Sequence, residues 1–364
     1  MNFVNGKTVY ILGAGASAHT GTPLMSKFLV SSRQLAARPQ DLRFKEDFET
    51  IFKWIDGLRA NRRVVDIDLD NIEHVFSLSE AMHQTREQGT YKRVQLRRVI
   101  TETVDRFCCL QNGPSHYTGE PAYDVFASEL AQVGQQRRDR IGETNYRPDT
   151  IITFNYDIAL DLALIKTHRG IVNYCFSSET NPNIPRYLKL HGSINWLSCM
   201  ARGCRDASWR FPLPARPADF KQPIEFHINT ASRYQCPSCD TVGDWRIEIV
   251  PPTWAKTVEN NHFQTIWQQA VDDLRLAEQI IFIGYSLPPS DSYIRYILAQ
   301  GLSGSPRLRR IIVVDIDPEK GSVHNRYKDL FSSSARGDVA FVYRSENFRD
   351  YSHSQLNGDA ASYE

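Results

Sequence analysis

Short apolar runs, each stopped by a glycine or a polar side chain, punctuate this chain. Val9-Tyr10-Ile11-Leu12, Thr150-Ile151-Ile152-Thr153-Phe154, Tyr187-Leu188-Lys189-Leu190, Gln279 to Ile283 and Arg310 to Val314 have the length and β-branched content of buried strands. Between them the period changes. Phe48, Ile51, Phe52 and Ile55 fall on one helical face, and Asn71 to Leu78 continues likewise with Asp70 or Asn71 as N-cap. Val94 to Leu110, Tyr123 to Gln136 and Ile158 to Lys166 read as further helices, and Asn260 to Leu276 turns Phe263, Ile266, Trp267, Ala270, Val271 and Leu274 inward. The pattern predicts an α/β fold, a doubly wound and mostly parallel Rossmann-like sheet built from 1–28, 149–198 and 246–345. A helical insert is expected over 29–148, a small module of low periodicity over 199–245, and a flexible tail over 346–364.

The predicted strands carry their chemistry at their C-terminal ends: Gly13, Asn155 and Asp157, His191-Gly192, Gly284 and Asp315. In a doubly wound sheet those ends line one crevice, where ligands bind. At the first of them, Gly13-Ala14-Gly15-Ala16-Ser17 offers a sharp turn and a close approach to main-chain N–H groups, at the start of a helix whose dipole favours an anion. This is a nucleotide pocket or a plain glycine turn. Asn155 and Asp157 stand where they could cap the next helix, do chemistry, or both. His191 reads as a core histidine or as a base with a pKa near neutrality.

Composition narrows the class. The chain has 364 residues, 41% hydrophobic and 23% charged, with a net charge of +1. That balance shows no global field for nucleic acid or an acidic membrane, so direct nucleic-acid binding is not indicated. Clusters such as Arg137-Arg138 and Arg307 to Arg310 read as solvated faces. No run approaches the roughly 18 apolar residues of a membrane span, and the N-terminus lacks a signal-peptide layout. Seven cysteines, an odd number, point to a reducing cytoplasm. Cys199, Cys204, Cys236 and Cys239 form two short-spaced pairs in a segment of little periodicity, the signature of a structural Zn2+ site. Cys108, Cys109 and Cys175 read as ordinary buried residues, and Trp54, Phe263 and Trp267 as core.

Taken in order, GAGAS (13–17) with Gly21-Thr22-Pro23, TFNYD (153–157), LHGS (190–193), the four cysteines, IGYSL (283–287) and VVDID (313–317) resemble the sirtuin-like family. The chain is most similar to the bacterial branch whose members hydrolyse NAD in antiphage defence. The resemblance implies that Gly13, Ala14, Gly15 and Ser17 cradle the pyrophosphate of NAD and that Thr22 and Pro23 border the nicotinamide ribose. It gives Asn155 the water and the ribose, Asp157 the nicotinamide carboxamide, and His191 the role of general base. Gly284 and Ser286 would contact phosphate or the adenosine ribose, and Asp315 the adenine ribose. The four cysteines sit where sirtuins keep their zinc.

Two departures from the peptide-deacylating sirtuins stand out. Leu24-Met25-Ser26 follows the Gly-Thr-Pro segment in place of Asp-Phe-Arg, and Val250-Pro251-Pro252-Thr253-Trp254 replaces the Phe-Gly-Glu segment that pairs with a peptide strand. Successive prolines offer no N–H donors, which handicaps strand addition. The resemblance therefore implies a cytoplasmic NAD+ glycohydrolase, restrained by homo-oligomer assembly or by a partner in trans, an ATPase or an argonaute-like protein. The rivals are a protein-lysine deacylase and a non-catalytic module that senses NAD or ADP-ribose.

Overall fold

The computed structural model describes residues 6–38, 42, 44–60, 67–85, 90–110, 121–176, 181–204, 209–210, 235–236, 238–242, 245–250, 261–288, 291–303, 307–331 and 339–354. Six strands make one parallel sheet: β1 (Lys7–Leu12), β2 (Thr150–Thr153), β3 (Arg186–Lys189), β7 (Ala277–Ile283), β8 (Arg310–Asp315) and β9 (Ala340–Ser345). Their spatial order is β3-β2-β1-β7-β8-β9, the doubly wound order in which the chain reverses direction beside the first strand. β1 and β2 are buried along their whole length, as interior parallel strands covered on both faces must be. β9, at the edge, is half-exposed. The Rossmann-like α/β sheet expected from the apolar runs is present.

Register brings the strand ends level. Leu12 pairs with Thr153 on one side and Ile283 on the other, Thr153 with Lys189, and Ile283 with Val314. The next residues along each strand are therefore neighbours at one rim.

Helices α1 (Ala14–Ser17), α2 (Phe28–Ala36), α3 (Lys45–Ala60), α4 (Ile72–Gln84), α5 (Thr90–Leu110) and α6 (Pro121–Ile141) separate β1 from β2. Asn71 caps α4 by accepting from the Glu73 N–H at 2.9 Å. The helices of the segment 29–148 do not share one core. α2 to α5 pack around Phe48, Phe52, Ile72, Phe76 and Val99, whereas α6 sends Tyr123, Phe126 and Leu130 into the sheet's own core. α7 (Ala159–Thr167) follows β2, and α8 (Asn261–Arg275) buries the face expected of it, Phe263 through Leu274, under the sheet.

A second, three-stranded sheet has the order β5-β4-β6, from β4 (Gly192–Cys199), β5 (Trp209–Arg210) and β6 (Trp245–Ile249). Ile194, Leu197, Ile247 and Ile249 from this sheet close the core of the α2–α5 helices. α9 (Ser292–Leu302), α10 (Ser322–Leu330) and α11 (Phe348–Ser354) complete the chain. No helix among the described residues is long and apolar enough to cross a membrane.

Two expectations are corrected. Within the segment from 346, Phe348–Ser354 is a helix with Phe348 and Tyr351 buried, because two aromatics one turn apart anchor an otherwise polar stretch. Arg137 is no solvated cation: it is 2% exposed and pairs with Asp149 at 2.5 Å. That pair belongs to a buried ionic layer under the N-terminal ends of the strands. There Asp273 takes Lys7 at 3.0 Å, Arg186 at 2.8 Å and the Thr150 hydroxyl at 2.7 Å.

Candidate active site and cysteine cluster

At the C-terminal rim, the β1 and β7 turns are packed backbone against backbone. Gly13 N–H donates to Ile283 O at 3.0 Å, Gly15 N–H to Gly284 O at 2.8 Å, and Gly284 N–H to Val314 O at 2.8 Å. Gly284 has φ +57°, and a Cβ there would lie 2.3 Å from the Ala16 nitrogen. A Cβ on Gly13 would meet Gly284 O at 2.5 Å. The glycine signal thus has a structural cause, the fit between two turns. It also commits three N–H groups of the turn, Gly13 to Ile283 O, Gly15 to Gly284 O and Ala16 to Gly13 O at 3.0 Å, leaving fewer donors for an anion than the motif promises.

Asn155, just past β2, is half-buried and donates from Nδ2 to Gly13 O and to Ser17 Oγ, both at 2.9 Å. Its amide hydrogens are therefore committed to the β1 turn, and what it offers a ligand is the acceptor Oδ1. Ser17 is buried, and its hydroxyl also bonds the phenol of Tyr123 at 2.7 Å. Thr22 joins the same turn through Thr20, whose hydroxyl lies 2.9 Å from that of Thr22 and donates to Ser17 O at 2.7 Å. Pro23 beside it is half-buried.

Asp157 is buried. Oδ1 accepts the Ala159 N–H at 3.1 Å, so the helix-capping reading holds for Asp157, while Asn155 serves the β1 turn. Oδ2 makes no hydrogen bond within 3.5 Å among the described residues, although the Ser17 hydroxyl lies close enough to act on the carboxyl. Burial pushes the Asp157 carboxyl above its usual range, opposed chiefly by the Lys189 ammonium. Lys189 itself, wholly buried, gives its charge to Asp161 at 3.0 Å and a hydrogen bond to Asp157 O at 2.6 Å. Tyr174 and Tyr187 hydroxyls complete the Asp161 carboxylate.

His191 occupies the turn between the two sheets rather than the end of a strand. β3 stops at Lys189 and β4 begins at Gly192, whose φ of +78° and 2.1 Å Cβ clearance from Glu248 O admit only glycine. The backbone beside His191 is pinned: Leu190 N–H to Thr153 O at 2.9 Å, Trp267 Nε1 to Leu190 O at 3.0 Å, and Val250 N–H to His191 O at 2.7 Å. The imidazole lies 5.1 Å from the Phe154 ring, which stacks on Tyr285 at 4.6 Å.

Farther along the rim, Ser286 is exposed and its carbonyl accepts from Arg326 Nε at 2.8 Å. Asp315 is half-buried, accepts the Asp317 N–H at 2.9 Å, and is pushed upward by burial. The turn from Gly13 to Ser17, the pair Asn155 and Asp157, His191, Gly284 and Asp315 thus follow strands whose ends are level at one rim of the sheet. Tyr123, Lys189 and Arg326 hold this rim through Ser17, Asp157 O and Ser286 O, and sequence reasoning missed all three. Lys189 was visible as a lone charge inside an apolar strand, a position that demands a buried partner.

The four cysteines are brought together elsewhere. Their sulfurs lie within 4.8 Å of one another, with Cys199 to Cys239 and Cys204 to Cys236 both at 3.7 Å. A tetrahedron with Zn–S bonds of about 2.3 Å has S···S edges of about 3.8 Å. The Ala201 N–H points at Cys199 Sγ at 3.5 Å, the kind of donor that steadies a thiolate. This donor set could bind zinc and leaves no open position, so it suits structure and not catalysis. Cys199 is the last residue of β4, which begins at Gly192, so the cluster lies on the order of 20 Å along that strand from His191. Cys108 and Cys175 are buried, as expected.

A family model described as "SIR2-like domain" matches residues 149–335. Among solved structures, the chain is similar to one described as "Sir2 bound to acetylated peptide", at 12% identity over 98% of this chain and 94% of that one, with a TM-score of 0.43. It is also similar to "Sir2-p53 peptide-NAD+", at 13% identity over 97% and 93%, TM-score 0.43. A third, "Structural Basis for the Mechanism and Regulation of Sir2 Enzymes", matches at 16% identity over 95% and 90%, TM-score 0.41. No curated protein matches the chain. The family match takes in just over half of the 364 residues and every rim residue from Asn155 to Asp315, and by it the chain belongs to the SIR2-like domain family.

Proposed function

We propose that this protein is an NAD+ glycohydrolase that releases nicotinamide and ADP-ribose. The observation that carries the proposal is one rim of the sheet that brings together a buried carboxylate with an oxygen lacking a hydrogen bond among the described residues, an Asn acceptor just past β2 and a His in the turn after β3. Asp157 Oδ2 suits an N–H donor such as a carboxamide. The pyrophosphate would lie along the rim of the packed β1 and β7 turns, at the start of α1. The C1′–N bond breaks with its electrons going to nicotinamide, which leaves neutral, and a water oxygen held by Asn155 Oδ1 bonds to C1′. His191 takes the proton of that water, directly or through a ribose hydroxyl.

Water is favoured over an acyl-lysine as acceptor by Val250. Its N–H is already bonded to His191 O at 2.7 Å and its carbonyl to the Tyr156 hydroxyl at 2.8 Å. Pro251 and Pro252, which lie with 253–254 outside the described residues, bring no N–H of their own. A peptide strand therefore finds no free donor at the start of this segment. The defence role, the cytoplasmic setting and control by self-assembly or by a partner protein follow from the likeness to the NAD-hydrolysing branch. The cysteine cluster holds one structural Zn2+.

The test is incubation of purified protein with NAD, chromatography of the products, and the same assay on Asn155→Ala and His191→Ala. The parent releases nicotinamide and free ADP-ribose, and each variant loses about a hundredfold or more. Acetylated peptide consumed together with NAD, in place of free ADP-ribose, makes the protein a deacylase. Tight NAD binding without turnover makes it a sensor. For the metal, elemental analysis finds about one zinc per chain in the parent and far less in Cys236→Ser.

A further inference from the structure

The β1 turn carries a hydrogen-bond chain that reaches back into α6, ahead of the residues matched by the family model. Tyr123 is 1% exposed and its hydroxyl lies 2.7 Å from Ser17 Oγ. Ser17 Oγ in turn accepts from Asn155 Nδ2 at 2.9 Å. The phenol ring is held by His19, centroids 4.8 Å apart, and by Phe348 of α11 at 5.0 Å. Burial raises the phenol well above its usual range, so the hydroxyl keeps its proton and can donate it to Ser17.

We propose that Tyr123 is a positioning residue for Asn155, acting through the Ser17 hydroxyl. Gly13 O holds one amide hydrogen of Asn155, while the other rests on a serine hydroxyl that rotates unless a further partner fixes it. A donor from an immobile ring occupies one lone pair of Ser17 Oγ and directs the other to Asn155 Nδ2. The amide plane is then set, and with it the direction in which Oδ1 faces the crevice. The role rests on Asn155 holding the attacking water. Misplacing that water slows the chemical step and leaves the contacts at Ser286 and Asp315 intact.

The experiment is a double-mutant cycle read by steady-state NAD cleavage in the full chain: parent, Tyr123→Phe, Ser17→Ala and both together. Tyr123→Phe keeps the ring between His19 and Phe348 and removes only the hydroxyl. It lowers kcat about tenfold or more while KM stays within about twofold. In the Ser17→Ala background the same change costs nothing further. Parent-like kcat in Tyr123→Phe, or losses that multiply in the double variant, overturn the positioning role and leave the hydrolase reading standing. A parent as silent as Asn155→Ala overturns that reading, and this role with it.

Discussion

The two ends of the six-stranded sheet treat charge in opposite ways. Under the N-terminal ends, Lys7, Arg186 and Arg137 each meet a carboxylate within 3.0 Å, and Asp149 also takes the Thr8 N–H at 2.8 Å. At the C-terminal rim, Asp157 and Asp315 make no ion pair among the described residues; Asp157 accepts the Ala159 N–H and Asp315 the Asp317 N–H. The nearest buried cation, Lys189, is matched instead to Asp161, one helical turn beyond Asp157. Both ends lie on the same strands, so packing does not explain the difference. A buried ion pair closed on itself holds the fold, whereas a carboxylate left half-satisfied is strain retained where a ligand can relieve it.

The comparison can be broken at either end. The largest stability effect is expected from Asp273→Asn, which leaves Lys7 and Arg186 without their shared carboxylate. Loss of one partner from a buried pair costs about 3–5 kcal/mol, measurable by urea unfolding, while KM for NAD in the remaining folded protein is unchanged. A smaller effect of opposite sign is expected at the rim. Because burial raises the Asp157 carboxyl in the folded state, the folded protein binds its proton more tightly than the unfolded chain. Stability attributable to this group therefore falls as pH rises from its ordinary value through the raised one. Asp157→Asn unfolds at higher urea than the parent above that window, converges with it below, and loses NAD turnover at every pH. A variant less stable than the parent near neutrality would show that Asp157 holds the fold, as Asp273 does.

Much of this division was legible in the residues. Apolar runs located five of the six sheet strands, and the glycine, asparagine, histidine and aspartate at their ends marked the rim. Cysteine spacing found the four-cysteine cluster without help from the fold. What the pattern hid were side chains whose partners come from far along the chain. Tyr123 reads as one more apolar position on α6, since nothing local records that Ser17 and Asn155 converge on its hydroxyl. Arg137 reads as surface until Asp149 is placed beside it. β9 escaped because an edge strand is half-exposed and lacks a continuous apolar run. His191 reads as the end of a strand, whereas it joins two sheets through the left-handed Gly192 and its approach to Glu248.

The mutual fit of the β1 and β7 turns bears on how this protein tolerates change. Substitution at Gly13, Gly15 or Gly284 drives a Cβ to within 2.3–2.8 Å of the opposing backbone, and no side-chain adjustment makes room. In a saturation mutagenesis screen scored by abundance alone, these three positions will be as intolerant as the middle of β1, with or without substrate in the cell. Invariance at the glycines of such a loop therefore reports assembly of the two turns. Evidence for ligand contact has to come from positions such as Asn155 and His191, where a folded protein survives the substitution and only turnover is lost.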